Sequence, residues 1–176
     1  RAEGFCFLND IAIAANYLLN QKKARQILVV DLDVHQGNGT AEIFQHDDKV
    51  FTFSMHGAKN YPMHKEKSDL DIELEDGTND KTYLSLLERH LNDLIDKVKP
   101  DFIFFQSGVD VLGTDKLGRL GLTISGCKQR DKIVLEMARN NNIPLVASMG
   151  GGYSEQIRDI VEAHANTYRL AQDLYF

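Results

Sequence analysis

Side chains able to do chemistry gather in three stretches of this chain. The first is Asp31-Leu32-Asp33-Val34-His35-Gln36-Gly37-Asn38-Gly39. The second is Gln106-Ser107-Gly108-Val109-Asp110, and the third is Met149-Gly150-Gly151-Gly152-Tyr153. Asp33, His35 and Asp110 together offer one nitrogen and two oxygens. Three such ligands with a fourth position left open is the arrangement of a catalytic zinc site. While the chain stays extended, alternation puts Asp31, Asp33 and His35 on one side. Gly37 and Gly39 then let the backbone turn away without a side chain crowding a metal. Tyr153, behind its glycines, reads as a hydroxyl presented by a loop.

Each of these residues has a plainer reading. An Asp or His at a strand end often caps a neighbouring backbone group, and a tyrosine at a helix start is often packed aromatic. Asp31 with Glu42 at the twelfth position also has the outline of a calcium loop. That reading fails because Gln36 stands where glycine is required and a strand, not a helix, leads in.

The elements that must carry these stretches alternate along the chain. Gln26-Ile27-Leu28-Val29-Val30 is a short continuous apolar run, as in a parallel strand buried on both faces. Val50 to Met55, Asp101 to Phe105 and Pro144 to Ser148 are further strands, and Leu70 to Leu74 is a short edge strand. Ser54 and His56 follow the second strand. Leu8 to Leu19 has helical spacing, with Asn9 or Asp10 as cap. Asn79 to Val98 is amphipathic through Tyr83, Leu84, Leu87, Leu91, Leu94, Ile95 and Val98, and Pro100 follows where it must have stopped. Cys127 to Asn140 and a last helix capped by Ser154 complete the pattern. Strand and helix in alternation predict a parallel sheet covered on both faces. Ligands bind beyond the carboxyl ends of such strands, where all three chemical stretches lie.

Composition narrows the field. The chain has 176 residues, 43% hydrophobic and 26% charged, which suits one globular domain. Its formal net charge of −6 gives no bulk attraction to nucleic acid, and no direct nucleic-acid binding is expected. Lys22, Lys23 and Arg25 read as a solvated helix end. No apolar run approaches the ~20 residues of a membrane span. Cys6 and Cys127 form no paired motif, which fits a reducing cytoplasmic setting with both as small buried residues.

The Asp31–Gly39 stretch resembles the zinc-binding signature of the histone deacetylase family. Gly4-Phe5-Cys6-Phe7-Leu8-Asn9-Asp10, Ser107-Gly108-Val109-Asp110 and Gly150-Gly151-Gly152-Tyr153 resemble that family's other segments, in the same order and spacing. His35-Gln36-Gly37-Asn38-Gly39 and Lys128-Gln129-Arg130-Asp131 are most similar to its class IV branch and bacterial relatives. The resemblance implies a three-layer αβα fold of the arginase/deacetylase type with a mainly parallel sheet, truncated at its N-terminus. Residues 1–176 would be the C-terminal portion of a single catalytic domain.

The resemblance also implies roles. Asp33, His35 and Asp110 would ligate zinc, and Tyr153 would donate a hydrogen bond to the substrate carbonyl and its oxyanion. Phe5, Leu117 and Gly151 would line an acyl-lysine channel, although by pattern alone Phe5 reads equally as core. Asp31 and Asn38 would stand behind the ligands. Asp31, Asp33, His35, Ser54 and Met55 would surround a structural potassium ion, mostly through backbone carbonyls. Phe44, Asp47 and Val50 match part of a second such site. The implied activity is zinc-dependent removal of acetyl or longer acyl groups from lysine.

An adjacent His-His pair, the family's general base and its partner, precedes the Gly-Phe-Cys segment and is absent here. This piece alone is therefore expected to be inactive. His46, His64, His90 and His164 stand in loops or helices with no site motif beside them, and His56 has no base role. Asn38 replaces the Asp of class I members. Three alternatives compete: an acetylpolyamine or other small acyl-amine hydrolase, a two-manganese arginase-like enzyme, and a non-catalytic interaction module. The arginase-like reading lacks the extra His and Asp cluster, since only His35 accompanies the Asp-x-Asp segment.

Overall fold

The computed structural model describes residues 2–176. Its elements run α1 (Asp10–Asn20), β1 (Ile27–Asp31), α2 (Asn38–Phe44), β2 (Val50–Gly57), β3 (Leu70–Leu74), α3 (Asp80–Val98), β4 (Phe102–Gln106), α4 (Ile124–Asn140), β5 (Leu145–Ser148) and α5 (Ile157–Tyr175). The strands form one sheet in the order β3-β2-β1-β4-β5, and every neighbouring pair is parallel.

Central β1 explains why its sequence reads as unbroken apolar residues: all five positions are buried. Leu28 and Val30 enter a core shared with Leu87 and Leu91 of α3, Val134 of α4 and Ala163 of α5. Ile27 and Val29 enter a second core with Ile11, Ala12 and Ala15 of α1 and Phe44 of α2. Period-two alternation thus feeds both faces, giving the expected three layers.

Helix starts follow from capping chemistry. Asn9 accepts a hydrogen bond from the Ala12 N–H at 2.9 Å and Asn79 from that of Thr82 at 3.1 Å. Thr123 accepts from the Gly126 N–H at 2.9 Å, so α4 begins ahead of Cys127. Ser154 is not a cap. Its hydroxyl is hydrogen-bonded to that of Thr114 at 2.9 Å, and α5 begins at Ile157 without a side-chain cap.

Three other expectations change. Gly39 lies inside α2, a helix too short to announce itself by periodicity, so it does not serve as a turn residue. Ser54 and His56 lie within β2, which extends to Gly57. Cys6 is exposed, whereas Cys127 is buried as expected. Among the described residues no helix is long and apolar enough to cross a membrane.

The strand order positions the site. From β1 the chain moves outward to β2 and β3, then returns to place β4 on the other side of β1. The loops after β1 and β4 therefore diverge, leaving a crevice at their carboxyl ends. Those loops carry Asp33 and His35 on one side and Asp110 on the other.

Candidate metal centre

Asp33, His35 and Asp110 meet at this crevice, each offering one ligand atom, and the three atoms lie within 4.8 Å of one another. Backbone donors fix them. Asp110 accepts from the Val34 N–H at 2.9 Å, which ties the β4 loop to the β1 loop. Asp33 accepts from the His35 N–H at 2.9 Å through Oδ1 and from the Gly151 N–H at 2.8 Å through Oδ2. Asp31 Oδ1 receives the Asp33 N–H at 3.2 Å. The carbonyl of Gly151 accepts from the Val109 N–H at 2.7 Å, so one residue of the glycine loop grips both ligand loops.

The glycines are required by close approach. A Cβ on Gly37 would collide with the Asp31 carboxylate, and a Cβ on Gly151 would collide with that of Asp110. At Gly37 the crowding that glycine relieves therefore comes from Asp31.

The electrostatics show a cluster short of positive charge. Burial, then the neighbouring charge of Asp33, raises Asp110 to about 7 despite its contact with His35. Burial and the charge of Asp33 also raise Asp31. Burial alone would lower His35, but the carboxylates of Asp110 and Asp33 outweigh it and raise the imidazole to about 10. Asp33 is lowered because hydrogen bonds from His35 and Gly151 exceed the cost of burial. His35 Nδ1 lies 2.9 Å from Asp33 Oδ1 and 3.2 Å from Asp110 Oδ2. Asp110 Oδ2 nonetheless makes no hydrogen bond, although it is fully buried. An orphaned buried carboxylate oxygen facing a second carboxylate and an imidazole suits a divalent cation, and this donor set fits zinc.

The crevice opens into a cleft of about 1790 Å³ lined by Phe5, Leu117, Gly151, Tyr153, Asp33 and His35. That exceeds the ~300–1,000 Å³ of an enclosed small-molecule pocket, so the cleft is an open trough. The Phe5 and Tyr153 rings lie 6.0 Å apart at 49°. Phe5 is 83% exposed, which removes the reading of it as core. Burial first, then the charges of Asp110, Asp33 and Asp115, raises Tyr153 above its ordinary value, so its hydroxyl keeps its proton at neutral pH.

The side chains of Asn38 and Ser54 have hydrogen-bond partners of their own. Asn38 opens α2 and donates to Glu3 at 2.7 Å. Ser54, which pairs in register with Asp31, is hydrogen-bonded through its hydroxyl to His56 Nδ1 at 2.9 Å. Met55 is buried beside it. Burial lowers His56 to about 4, so it is neutral.

Sequence reading missed several residues. His164 is not remote from the site: it is buried on α5 with Nε2 beside the Gly151–Gly152 backbone. Asp115 accepts from the Tyr153 N–H at 2.6 Å and from those of Leu117 and Gly118 at 2.9 and 2.8 Å. It thereby joins the loop of Leu117 to that of Tyr153. Arg130 and Asp131, noticed only as a resemblance, form a buried pair directly behind the ligand loops. Their signal was available, because both fall on the apolar stripe of α4 with Cys127, Val134 and Ala138.

Comparison with known proteins gives consistent matches. Residues 1–168 match the family described as Histone deacetylase domain. An uncharacterized protein of Picosynechococcus is 47% identical over 172 residues, covering 98% of this chain and 57% of that protein. Histone deacetylase 2 of Arabidopsis thaliana is 30% identical over 164 residues, covering 92% of this chain and 42% of that protein. Among solved structures, an HDAC homolog from Aquifex aeolicus is similar with a TM-score of 0.83 at 27% identity, covering 98% of this chain and 48% of that one. The chain thus spans about half the length of the relatives it matches.

Proposed function

Because this chain belongs to the histone deacetylase family, we propose that the protein is a zinc-dependent amidohydrolase that removes acetyl or longer acyl groups from lysine side chains. The observation that carries this reading is the convergence of Asp33, His35 and Asp110 at the mouth of an open cleft that also contains Tyr153. These three residues would hold the zinc. Zinc bound there supplies Lewis acidity toward an amide carbonyl and acidifies water.

The chain's own residues do the rest. Asp33 and Asp110 flank His35, with carboxylate oxygens 2.9 and 3.2 Å from its Nδ1, so the three groups face one point. Tyr153 keeps its proton and donates it in a hydrogen bond to the substrate carbonyl oxygen. That bond strengthens as negative charge develops, so it favours the transition state over the bound substrate. Phe5, Leu117 and Gly151 form an apolar lining suited to the methylene stem of an acyl-lysine. Asp31, Asp33, His35, Ser54 and Met55 would hold a structural potassium through backbone oxygens, supporting the same loops.

The reading is tested on the full-length protein by zinc content and by hydrolysis of an acetyl-lysine peptide beside an acetylated polyamine. Wild type is expected to carry one zinc and to hydrolyse the peptide, and His35→Ala to lose both. Zinc retained in His35→Ala, or hydrolysis unaffected by chelation, refutes the assignment. Faster turnover of the polyamine would move the substrate to small acyl-amines, and zinc binding without hydrolysis of either would leave an interaction module.

A further inference from the structure

Resting on that reading of the metal centre, we propose that Arg130 is a positioning residue that sets the separation between the two metal-ligand loops. Its guanidinium is fully buried. One of its nitrogens, Nη1, donates both to the Leu32 carbonyl at 3.1 Å and to the Gly108 carbonyl at 2.5 Å. Leu32 immediately precedes Asp33, and Gly108 stands two residues before Asp110. A single planar group therefore spans the crevice from behind and fixes the backbone of both loops.

A buried guanidinium is tolerated only when its charge is paired and its geometry held. Asp131 meets both needs, with Oδ1 at 2.8 Å from Nε and 2.7 Å from Nη2. Asp131 is held in turn by the Thr167 hydroxyl of α5 at 2.6 Å. The chain of contacts thus runs from α5 through α4 to the carboxyl ends of β1 and β4. An apolar side chain on the α4 stripe would fill the same space without a buried charge, though it would take the Nη1 donor from both carbonyls. What it could not do is hold two carbonyls at a fixed spacing. Lysine could not do so either, because its ammonium is a point donor without the rigid fork of arginine.

Partners behind metal ligands typically change metal affinity by ~10–100-fold when removed. The test uses full-length protein stripped of metal, with Zn²⁺ affinity measured by competition against a chromophoric chelator. The visible absorption of the Co²⁺-substituted protein reports ligand geometry independently of activity. Arg130→Lys is expected to weaken Zn²⁺ binding ~10–100-fold and to shift the Co²⁺ bands while the protein remains folded at the assay temperature. Thr167→Val, which only frees Asp131, should do the same to a smaller degree. Leu87→Ala, a buried change in α3 that removes no hydrogen bond to the ligand loops, should lower the unfolding midpoint but leave affinity and Co²⁺ bands unchanged. If wild type binds Zn²⁺ and folded Arg130→Lys retains its affinity and bands, the positioning role is wrong although the metal centre stands. If Leu87→Ala shows an equal loss, the effect is general destabilisation and the role is again wrong. Should Arg130→Lys fail to fold, Thr167→Val decides by the same two readouts. Absence of Zn²⁺ binding by wild type overturns the metal centre itself.

Discussion

Replacing Gly151 by alanine tests how tightly the ligand loops are locked. The new Cβ would collide with the Asp110 carboxylate and come within 3.0 Å of the Tyr153 ring. Asp110 has nowhere to go, since it is fully buried and anchored at 2.9 Å by the Val34 N–H. The glycine loop must therefore retreat. It then gives up the Gly151 N–H bond to Asp33 at 2.8 Å and the Val109 N–H bond to the Gly151 carbonyl at 2.7 Å. A hydrogen bond to a charged acceptor is worth ~1.5–3 kcal/mol and a neutral one ~1 kcal/mol, so the metal-free protein should lose about 3 kcal/mol. An ångström of misplacement near the reacting atoms costs roughly 100-fold in rate, so kcat/KM on an acetyl-lysine peptide should fall by at least that. Urea unfolding of metal-free protein, zinc titration and steady-state kinetics measure the three effects. Gly77→Ala is the control: its φ of +74° makes alanine strained, at roughly 1–2 kcal/mol, but nothing lies within 4 Å. It should cost stability without touching zinc affinity. Wild-type zinc affinity and turnover in Gly151→Ala would show that the glycine loop does not lock the ligands and would refute the reasoning.

Tyr153→Phe should lower kcat by ~100–1,000-fold with little change in KM, because the role proposed for the hydroxyl is toward charge formed in the transition state; steady-state kinetics showing unchanged kcat would remove it from the mechanism. His56 gives a pH prediction. Burial lowers it from 6.5 to about 4, so the unfolded chain takes its proton first. Stability from neutral His56 is complete above pH 6.5 and is lost as pH falls toward 4, about 3 kcal/mol in all. Urea midpoints measured across that range should fall less steeply in His56→Asn than in wild type, and equal slopes would show that His56 does not carry the effect.

Local chemistry announced itself in the sequence because its cause is local. The unbroken apolar run of β1 follows from burial on both faces, and the 3.6-residue stripe of α3 follows from packing on one. Asn9 and Asn79 cap because their side chains reach a backbone N–H only three residues on. Asp33, His35, Asp110 and Tyr153 stood out because side chains of metal-ligating and hydroxyl type gather beside glycines after three separate strands, more than the capping of any one strand end requires. Other features depend on partners far along the chain. Ser154 looks like a cap until Thr114 is seen beside it, and nothing near Cys6 in sequence says that it remains exposed. His164 approaches the glycine loop only because α5 folds back on it. That Arg130 can hold Leu32 and Gly108 together depends on β1 and β4 being neighbours, which no local pattern states. Sequence alone determined which residues could bind a metal and which elements carry them, since periodicity and side-chain chemistry are properties of short segments. Only the tertiary structure decided that the strand order reverses between β1 and β4, because that order is set by the packing of the whole chain, and the reversal creates the crevice where Asp33, His35 and Asp110 meet.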